Sequence, residues 1–380
     1  MKKKWKYYEP DTNKIEHISK KFNISELLSK VLINRDITED KEIEIFLSPT
    51  RNDFYNPFLM PDMEKAVDRI IKAIENKEKT IIYGDYDVDG ITSITVLKKF
   101  LEERGLQTGH YIPNRLKEGY GLNKEAIEKI IEEKYTLMIT VDCGISGIEE
   151  IDICNKAGID TIITDHHEQL EKLPKAYAIV NHKRKDNKYP FRGLAGVGVV
   201  FKLIQAISEK LNLEEKEFLK YLDIVCIGTI SDIVPLIDEN RVIAKLGLKL
   251  LQITKNIGLR ELIINSGYKE VNTSMISFGL APRINACGRM GYQYEALELF
   301  LTENVERARE ITKKLSEYNS ERQETEKEIF EETLKELEQK DMNKLNSIIL
   351  AGDNWHHGVI RNSSIKINRK IFQTYNSCVF

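Results

Sequence analysis

Short apolar runs alternate with helical stretches from residue 80 to residue 180, and three of the runs end in carboxylates or histidines. The runs are Thr80-Ile-Ile-Tyr83, Thr136-Leu-Met-Ile-Thr-Val141 and Thr161-Ile-Ile-Thr164, with Tyr177-Ala-Ile-Val180 as a fourth. Helical spacing fills residues 92–104, 123–133 and 147–157. Short buried strands alternating with helices build a parallel sheet. Such sheets bind ligands beyond the carboxyl ends of their strands. Those ends here carry Asp85, Asp87 and Asp89, then Asp142, then Asp165-His166-His167. The pattern predicts an α/β fold with its site along one edge of the sheet.

Asp85, Asp87 and Asp89 sit at alternate positions. Read as a continued strand, they would share one face and repel unless a cation lies between them. Taken singly, the triplet is also a turn, Asp142 a helix cap and Asp232 a hydrogen-bonded buried acid. Adjacent histidines among acids are harder to explain as core residues, and a neighbouring carboxylate fixes a histidine's tautomer. Together the segments supply oxygen ligands and an imidazole, which suits Mn²⁺ or Mg²⁺ better than zinc. Two such ions sharing a carboxylate, here Asp142, form the clamp used in phosphoester hydrolysis. Farther on, Arg283, Asn285 and Arg289 lie in a small-residue segment, and arginine forks fit phosphate oxygens. Gly193-Leu-Ala-Gly196-Val-Gly198 lacks the spacing of a dinucleotide loop and reads as a close-packed helix start.

The rest of the chain bounds these readings. The five cysteines form no C-x-x-C pair, which argues against a cysteine zinc site and for a reducing compartment. No apolar run reaches about 18 residues and the basic N-terminus lacks an apolar signal core, so a cytoplasmic location without a membrane span is expected. A net charge of −3 leaves nucleic-acid binding to a local groove. The expected division is an N-terminal accessory region (1–75), a catalytic α/β domain (76–240), a helical extension with the Arg/Asn/Gly segment (241–303), a long, solvated connecting helix (304–344) and the start of a second α/β domain (345–380). The last opens on a strand at Ser347-Ile-Ile-Leu-Ala351.

The set Gly84-Asp85-Tyr86-Asp87-Val88-Asp89-Gly90, Asp142-Cys143-Gly144, Asp165-His166-His167, Ser231-Asp232 and Arg283-Ile-Asn-Ala-Cys-Gly-Arg289 resembles the motifs of the DHH phosphoesterases, in particular the single-strand-specific DNA exonucleases among them. The resemblance runs from about residue 20 to residue 360. It implies that Asp87 and Asp142 hold one Mn²⁺, and that Asp89, Asp142, His166 and Asp232 hold the other. It makes His167 an acid or phosphate donor, supported with His166 by Asp165, and leaves Asp85 at or behind the metal. Many relatives have histidine where this chain has Tyr83, which implies a weaker first ion here. Arg283, Asn285 and Arg289 would line the nucleotide path. The implied activity is 5′-to-3′ removal of nucleotides from single-stranded DNA in recombination and repair, with single-strand-binding protein and a helicase as partners. The implied fold joins two α/β domains by a long helix.

Two other readings stay open: a DHH hydrolase of short oligonucleotides, cyclic dinucleotides or pyrophosphate, and an inactive truncated product. The tail feeds the second. After Trp355-His356-His357-Gly358-Val359-Ile360 the family pattern continues Gly-Ile-Val-Ala-Ser, whereas this chain reads Arg361-Asn362-Ser363-Ser364-Ile365 and ends at Phe380. The codons AGG AAT AGT AGC ATC, followed by the A that opens Lys366, become GGA ATA GTA GCA TCA when read one base later, which restores that pattern. Residues 361–380 are therefore expected to be frameshifted, with a divergent tail as the alternative. A product ending at Phe380 is expected to carry a stub of the second domain and to show weak, poorly processive activity.

Overall fold

The computed structural model describes residues 8–115, 117–339, 348–353, 355–360, 363, 364, 366 and 367. Four helices come first: α1 (Thr12–Phe22), α2 (Glu26–Ile33), α3 (Asp40–Leu47) and α4 (Met63–Asn76). The sheet region follows, with β1 (Thr80–Gly84), α5 (Val88–Glu102), β2 (Thr108–Tyr111), α6 (Lys124–Glu132), β3 (Leu137–Val141), α7 (Ile148–Lys156), β4 (Asp160–Thr164) and β5 (Ala178–Val180). Helices then take over: α8 (Gly196–Lys210), α9 (Lys216–Leu219), α10 (Leu222–Ser231), α11 (Asp238–Leu251) and α12 (Ile257–Ser266). A π-helical turn at Met275–Leu280 runs into α13 (Ala281–Met290), and α14 (Gln293–Leu301) and α15 (Val305–Glu338) complete the described elements.

All five strands pair in parallel, in the order β2-β1-β3-β4-β5. Strand residues alternate between the faces. Ile82, Ile139, Ile162 and Val180 enter the core shared with α4, α5 and α8. Ile81, Tyr83, Met138, Ile163 and Ile179 enter a second core with α6 and α7. Burying both faces accounts for the near-continuous apolar strands, since each fully buried isoleucine is worth about 1.5–3 kcal/mol. The sequence reading found four of these strands. It missed β2, whose Thr-Gly-His-Tyr carries no apolar run because that edge strand is only half-buried past Thr108.

The N-terminal helices α1–α3 close a small core of their own around Ile18, Leu32, Ile37 and Ile43. Arg241 Nε donates to the Phe46 carbonyl at 2.9 Å, and the Tyr55 N–H donates to Glu239 Oε1 at 2.9 Å. Glu239 is fully buried with Lys202 at 2.9 Å and also accepts from the Tyr189 hydroxyl. Every oxygen of that carboxylate has a donor, as a buried charge requires.

Helix α15 spans 34 residues, about 51 Å at 1.5 Å per residue. It is less solvated than the sequence reading held: Ala308, Ile311 and Leu315 join the main core, and Ile329 and Leu337 farther along are buried too. The strand expected at Ser347–Ala351 does not form over residues 348–351; Ser347 lies outside the described residues. A strand needs a partner, and the described residues supply no further strand beside it. The frameshift reading of residues 361–380 falls largely outside the described residues.

Candidate metal centre

The acidic triplet does not continue the strand. β1 stops at Gly84, and Asp87 caps α5 by accepting the Gly90 N–H at 3.0 Å. Asp85 Oδ1 accepts the Tyr86 N–H at 2.8 Å. Asp85 and Asp87 are fixed in this loop-to-helix turn by bonds to neighbouring amides. The turn is tight: a Cβ on Gly90 would lie 2.3 Å from the Asp85 carbonyl oxygen. Asp89, in the first turn of α5, accepts the Gly196 N–H at 2.6 Å and the Val197 N–H at 2.7 Å. The glycine segment is thus a close-packed helix start, and its amides face a carboxylate.

Asp142 follows β3 with φ of +59°. That left-handed backbone costs a non-glycine residue roughly 1–2 kcal/mol. Ile233, next to Asp232, has φ of +61°, a rarer conformation still for a β-branched residue. Strain of this kind collects at functional sites.

The side chains meet in one place. His166 Nε2 lies 3.1 Å from Asp142 Oδ1 and 3.9 Å from Asp89 Oδ2, and His166 Nδ1 lies 3.7 Å from Asp232 Oδ2. Three overlapping groups have ligand atoms within 4.8 Å of one another: Asp85, Asp87 and Asp142; Asp142, His166 and His167; Asp89, His166 and Asp232. Asp142 and His166 are the shared members. Buried Asp142 Oδ1 accepts no hydrogen bond, although His166 Nε2 is near.

Five carboxyls crowd this volume, those of Asp85, Asp87, Asp89, Asp142 and Asp232. Burial and then repulsion from Asp87 push Asp85 up to about 8 and Asp89 up to about 7. Burial and then Asp89 push Asp232 up to about 7 and Asp142 well above the carboxylate range. Bringing such acids together without a positive charge disfavours their ionised forms. An unpaired buried oxygen among crowded carboxylates and an imidazole fits a divalent cation with oxygen-rich ligation.

Asp165 stands behind the histidines. Burial alone would raise its carboxyl, but the His167 ring and backbone amides hold it below the usual range. It accepts from the N–H groups of Ile145 (2.9 Å), His166 (2.7 Å) and His167 (3.0 Å), and contacts His167 Nδ1 at 2.7 Å. The bond from Asp165 raises the His167 pKa, so the ring keeps a proton more readily. Burial lowers that of His166 and favours the neutral ligand form.

All of these groups but Asp89 and Asp165 line a cleft of about 450 Å³ that also includes Arg115, Tyr120, Asn285 and Arg289. A second cavity of about 640 Å³ adjoins it through Asn285 and Arg289 and carries exposed Ile233 and Phe278 on its wall. The sequence reading had put Arg283 on this path. The structure turns it away, with Nε donating to Ser316 Oγ at 3.2 Å and Nη1 to the Gly279 carbonyl. Positions 285 and 289 share one face of α13, whereas 283 lies about 200° around the helix from 285. Arg115 and Tyr120 went unrecognised because β2 did. Both lie in the segment after its carboxyl end, where such a sheet binds ligands.

Tyr83 has a different place from the ligand position implied for it. Its ring is buried in the α6–α7 core, stacked on Tyr111 at 5.3 Å. Its hydroxyl donates to the Gly121 carbonyl at 3.0 Å and accepts from Asn123 Nδ2 at 3.1 Å. It anchors the loop that carries Tyr120.

The family model described as "DHH family, N-terminal domain" matches residues 79–229, which span β1 to α10. A crystal structure titled exonuclease RecJ bound to manganese is 31% identical, with a TM-score of 0.76 over 82% of this chain and 78% of that one. The chain belongs to the DHH family. Within that family it is 40% identical over 361 residues to the single-stranded-DNA-specific exonuclease RecJ of Bacillus subtilis, covering 94% of this chain and 45% of that protein. The manganese-bound RecJ structure from Thermus thermophilus superposes with a TM-score of 0.81 at 26% identity, over 95% of this chain and 51% of that one. The chain spans about half the length of the Bacillus relative. Among the described residues no helix is long and apolar enough to cross a membrane.

Proposed function

We propose that this chain hydrolyses phosphodiester bonds in single-stranded DNA, removing nucleotides from the 5′ end with two Mn²⁺ or Mg²⁺ ions, in recombination and repair. One observation carries the reading: Asp85, Asp87, Asp142, His166 and His167, from three strand ends, and Asp232, from the end of α10, line one cleft, and Asp89 lies within ligand distance of His166 and Asp232. The names of the relatives, single-stranded-DNA-specific exonucleases, and the manganese in their structures supply the substrate class and the metal. The sequence division into accessory, catalytic, helical and connecting regions belongs to the same proposal, as does association with single-strand-binding protein and a helicase.

In this reading Asp87 and Asp142 hold one ion, and Asp89, Asp142, His166 and Asp232 hold the other, with Asp85 at or behind the first. The pair of cations supplies charge neutralisation at the phosphate and activation of water for attack. The protein's own contribution is orientation. Two backbone amides aim Asp89 and leave its carboxylate fixed. Asp165 accepts from His167 Nδ1 and favours the protonated ring, whose Nε2–H would be the one to donate to a phosphate oxygen or the leaving oxygen. Arg289 and Arg115 offer guanidinium groups for the phosphates that flank the scissile bond, and Asn285 lies between the two cavities while accepting the Val88 N–H at 3.2 Å.

Incubation of a 5′-phosphorylated, 3′-labelled single strand with the chain and Mn²⁺, beside Asp142→Ala, tests the proposal. Stepwise shortening from the 5′ end, lost in the variant, is expected. Cleavage of dinucleotides with long strands untouched would move the reading to a hydrolase of short substrates. No cleavage of either would leave an inactive product.

A further inference from the structure

Three fully buried polar side chains outside the cluster donate to the backbone of the segments that carry it. Asn181, just past β5, donates from Nδ2 to the His167 carbonyl at 2.9 Å, while its Oδ1 accepts the Lys183 N–H at 2.7 Å. His182 places Nε2 3.1 Å from the Leu194 carbonyl, two residues before the helix start that caps Asp89. A carbonyl oxygen only accepts, so Nε2 carries the proton. Burial pushes the His182 pKa down to about 3, which keeps the ring neutral. Asn240 donates from Nδ2 to the Gly193 carbonyl at 2.6 Å and to the Pro235 carbonyl at 3.0 Å, the latter three residues beyond Asp232. All three residues have no solvent exposure. None belongs to a motif singled out in the sequence.

We propose that Asn181, His182 and Asn240 are positioning residues that tie together the turn bearing His166, the α8 start that caps Asp89, and the segment bearing Asp232. This rests on the metal reading above and extends it to residues that touch neither metal nor substrate. The physical case is that His166, Asp89 and Asp232 form one ligand group but come from the turn after β4, the first turn of α5 and the end of α10, with no strand pairing between them. The turn bearing His166, the segment leading into α8 and the segment after Asp232 each present a carbonyl to one of these donors. A buried donor that loses its partner is costly, so these bonds resist stretching. Metal sites need ligand placement to within about 0.5 Å, which packing and hydrogen bonds behind the ligands provide.

The test is direct Mn²⁺ binding to the full chain, by calorimetry and by loss of the free Mn²⁺ spin-resonance signal. Asn181→Leu, His182→Leu and Asn240→Leu each remove a donor, the two Asn changes with the number of side-chain heavy atoms kept. Asn181→Ser, polar but too short to reach the His167 carbonyl, guards against misfolding. Leu262→Ala, a core truncation in α12, controls for general destabilisation. The expected result, at a temperature where circular dichroism reports the folded chain, is a Kd for Mn²⁺ raised roughly 3- to 10-fold in the donor variants, with Leu262→Ala unchanged. Unchanged Kd values in the folded donor variants would overturn the inference and leave the metal reading standing. Failure of the unaltered chain to bind Mn²⁺ would overturn both.

Discussion

A Cβ added at Gly196 would lie 2.5 Å from Asp142 Oδ1. The first residue of α8 is therefore pressed against one shared ligand candidate while its amide, at 2.6 Å, holds Asp89. Two sides of the centre meet at a position where only a hydrogen fits. Gly196→Ala must displace either the helix or the carboxylate. Overpacking of this kind costs about 1–3 kcal/mol, and the expected outcome is at least a roughly tenfold loss of Mn²⁺ affinity, comparable to the loss of a group supporting a ligand. Calorimetric Mn²⁺ titration and a denaturant melt of the variant measure the two effects.

Burial and then its acidic neighbours, Asp89 first, oppose the charge of Asp142. Asp142→Asn removes that repulsion with little change of shape. The metal-free chain is expected to gain about 0.5–2 kcal/mol, in the range of substitutions that relieve a functional site. The same variant should lose the stabilisation given by Mn²⁺, which for a single site amounts to about 2.7 kcal/mol at 100 times Kd. Melting curves with EDTA and with Mn²⁺ should therefore cross over: the variant melts higher without metal and the unaltered chain melts higher with it.

Tyr83 acts through the loop above it. Tyr83→Phe keeps the buried ring and its stacking on Tyr111 but removes the bond to the Gly121 carbonyl. One lost hydrogen bond costs about 0.5–1.5 kcal/mol. Because Arg115 and Tyr120 line the cleft and Tyr120 adjoins the anchored Gly121, the expected signature is a KM for single-stranded DNA raised several-fold, roughly 3-fold for a loss of that size, with kcat nearly kept. Steady-state kinetics would sink this if kcat fell and KM held.

Asp223 offers a pH dependence away from the centre. Burial raises its carboxyl above the usual range, although the Thr254 hydroxyl and the Ile224 N–H bond to it. A folded-state pKa above the unfolded one means that the folded chain binds the extra proton. The resulting stability is present in full below the unfolded pKa, near about 3.9, and is lost as pH rises through the folded pKa. Ionisation of Asp223 as the pH rises therefore opposes folding. Asp223→Asn keeps one oxygen for the Ile224 N–H and turns its NH2 towards the Thr254 hydroxyl, which can accept, and should stabilise the chain at pH 7 by on the order of 1 kcal/mol. The advantage should shrink towards zero below about pH 4, as urea melts across that range would report.

Much of the architecture could be read before any coordinates. The strands β1, β3, β4 and β5 announce themselves because both faces are buried, so nearly every residue in them is apolar or threonine-like. Beyond the same edge lie Asp142 and the Asp165-His166-His167 turn, and chain order alone puts them there. The acids and imidazoles could be nominated because few other uses explain them together. β2 could not, since an edge strand half open to solvent needs no apolar run. Its loss hid Arg115 and Tyr120 as well.

Orientation lay beyond reach of the linear order. Whether Arg283 or Arg289 faces the cleft depends on the phase of α13 against α15, set by packing between segments far apart in the chain. Tyr83 points into a core because Tyr111 stacks there and Gly121 lies above it, contacts made well along the chain from it. Gly196, Asn181, His182 and Asn240 are ordinary letters until the fold sets them against Asp142, His167, Leu194 and Gly193. Side-chain chemistry is a local property and can be read along the chain. Which amide meets which carboxylate is decided only when the packed core fixes the distances between segments, and that information resides in the tertiary structure.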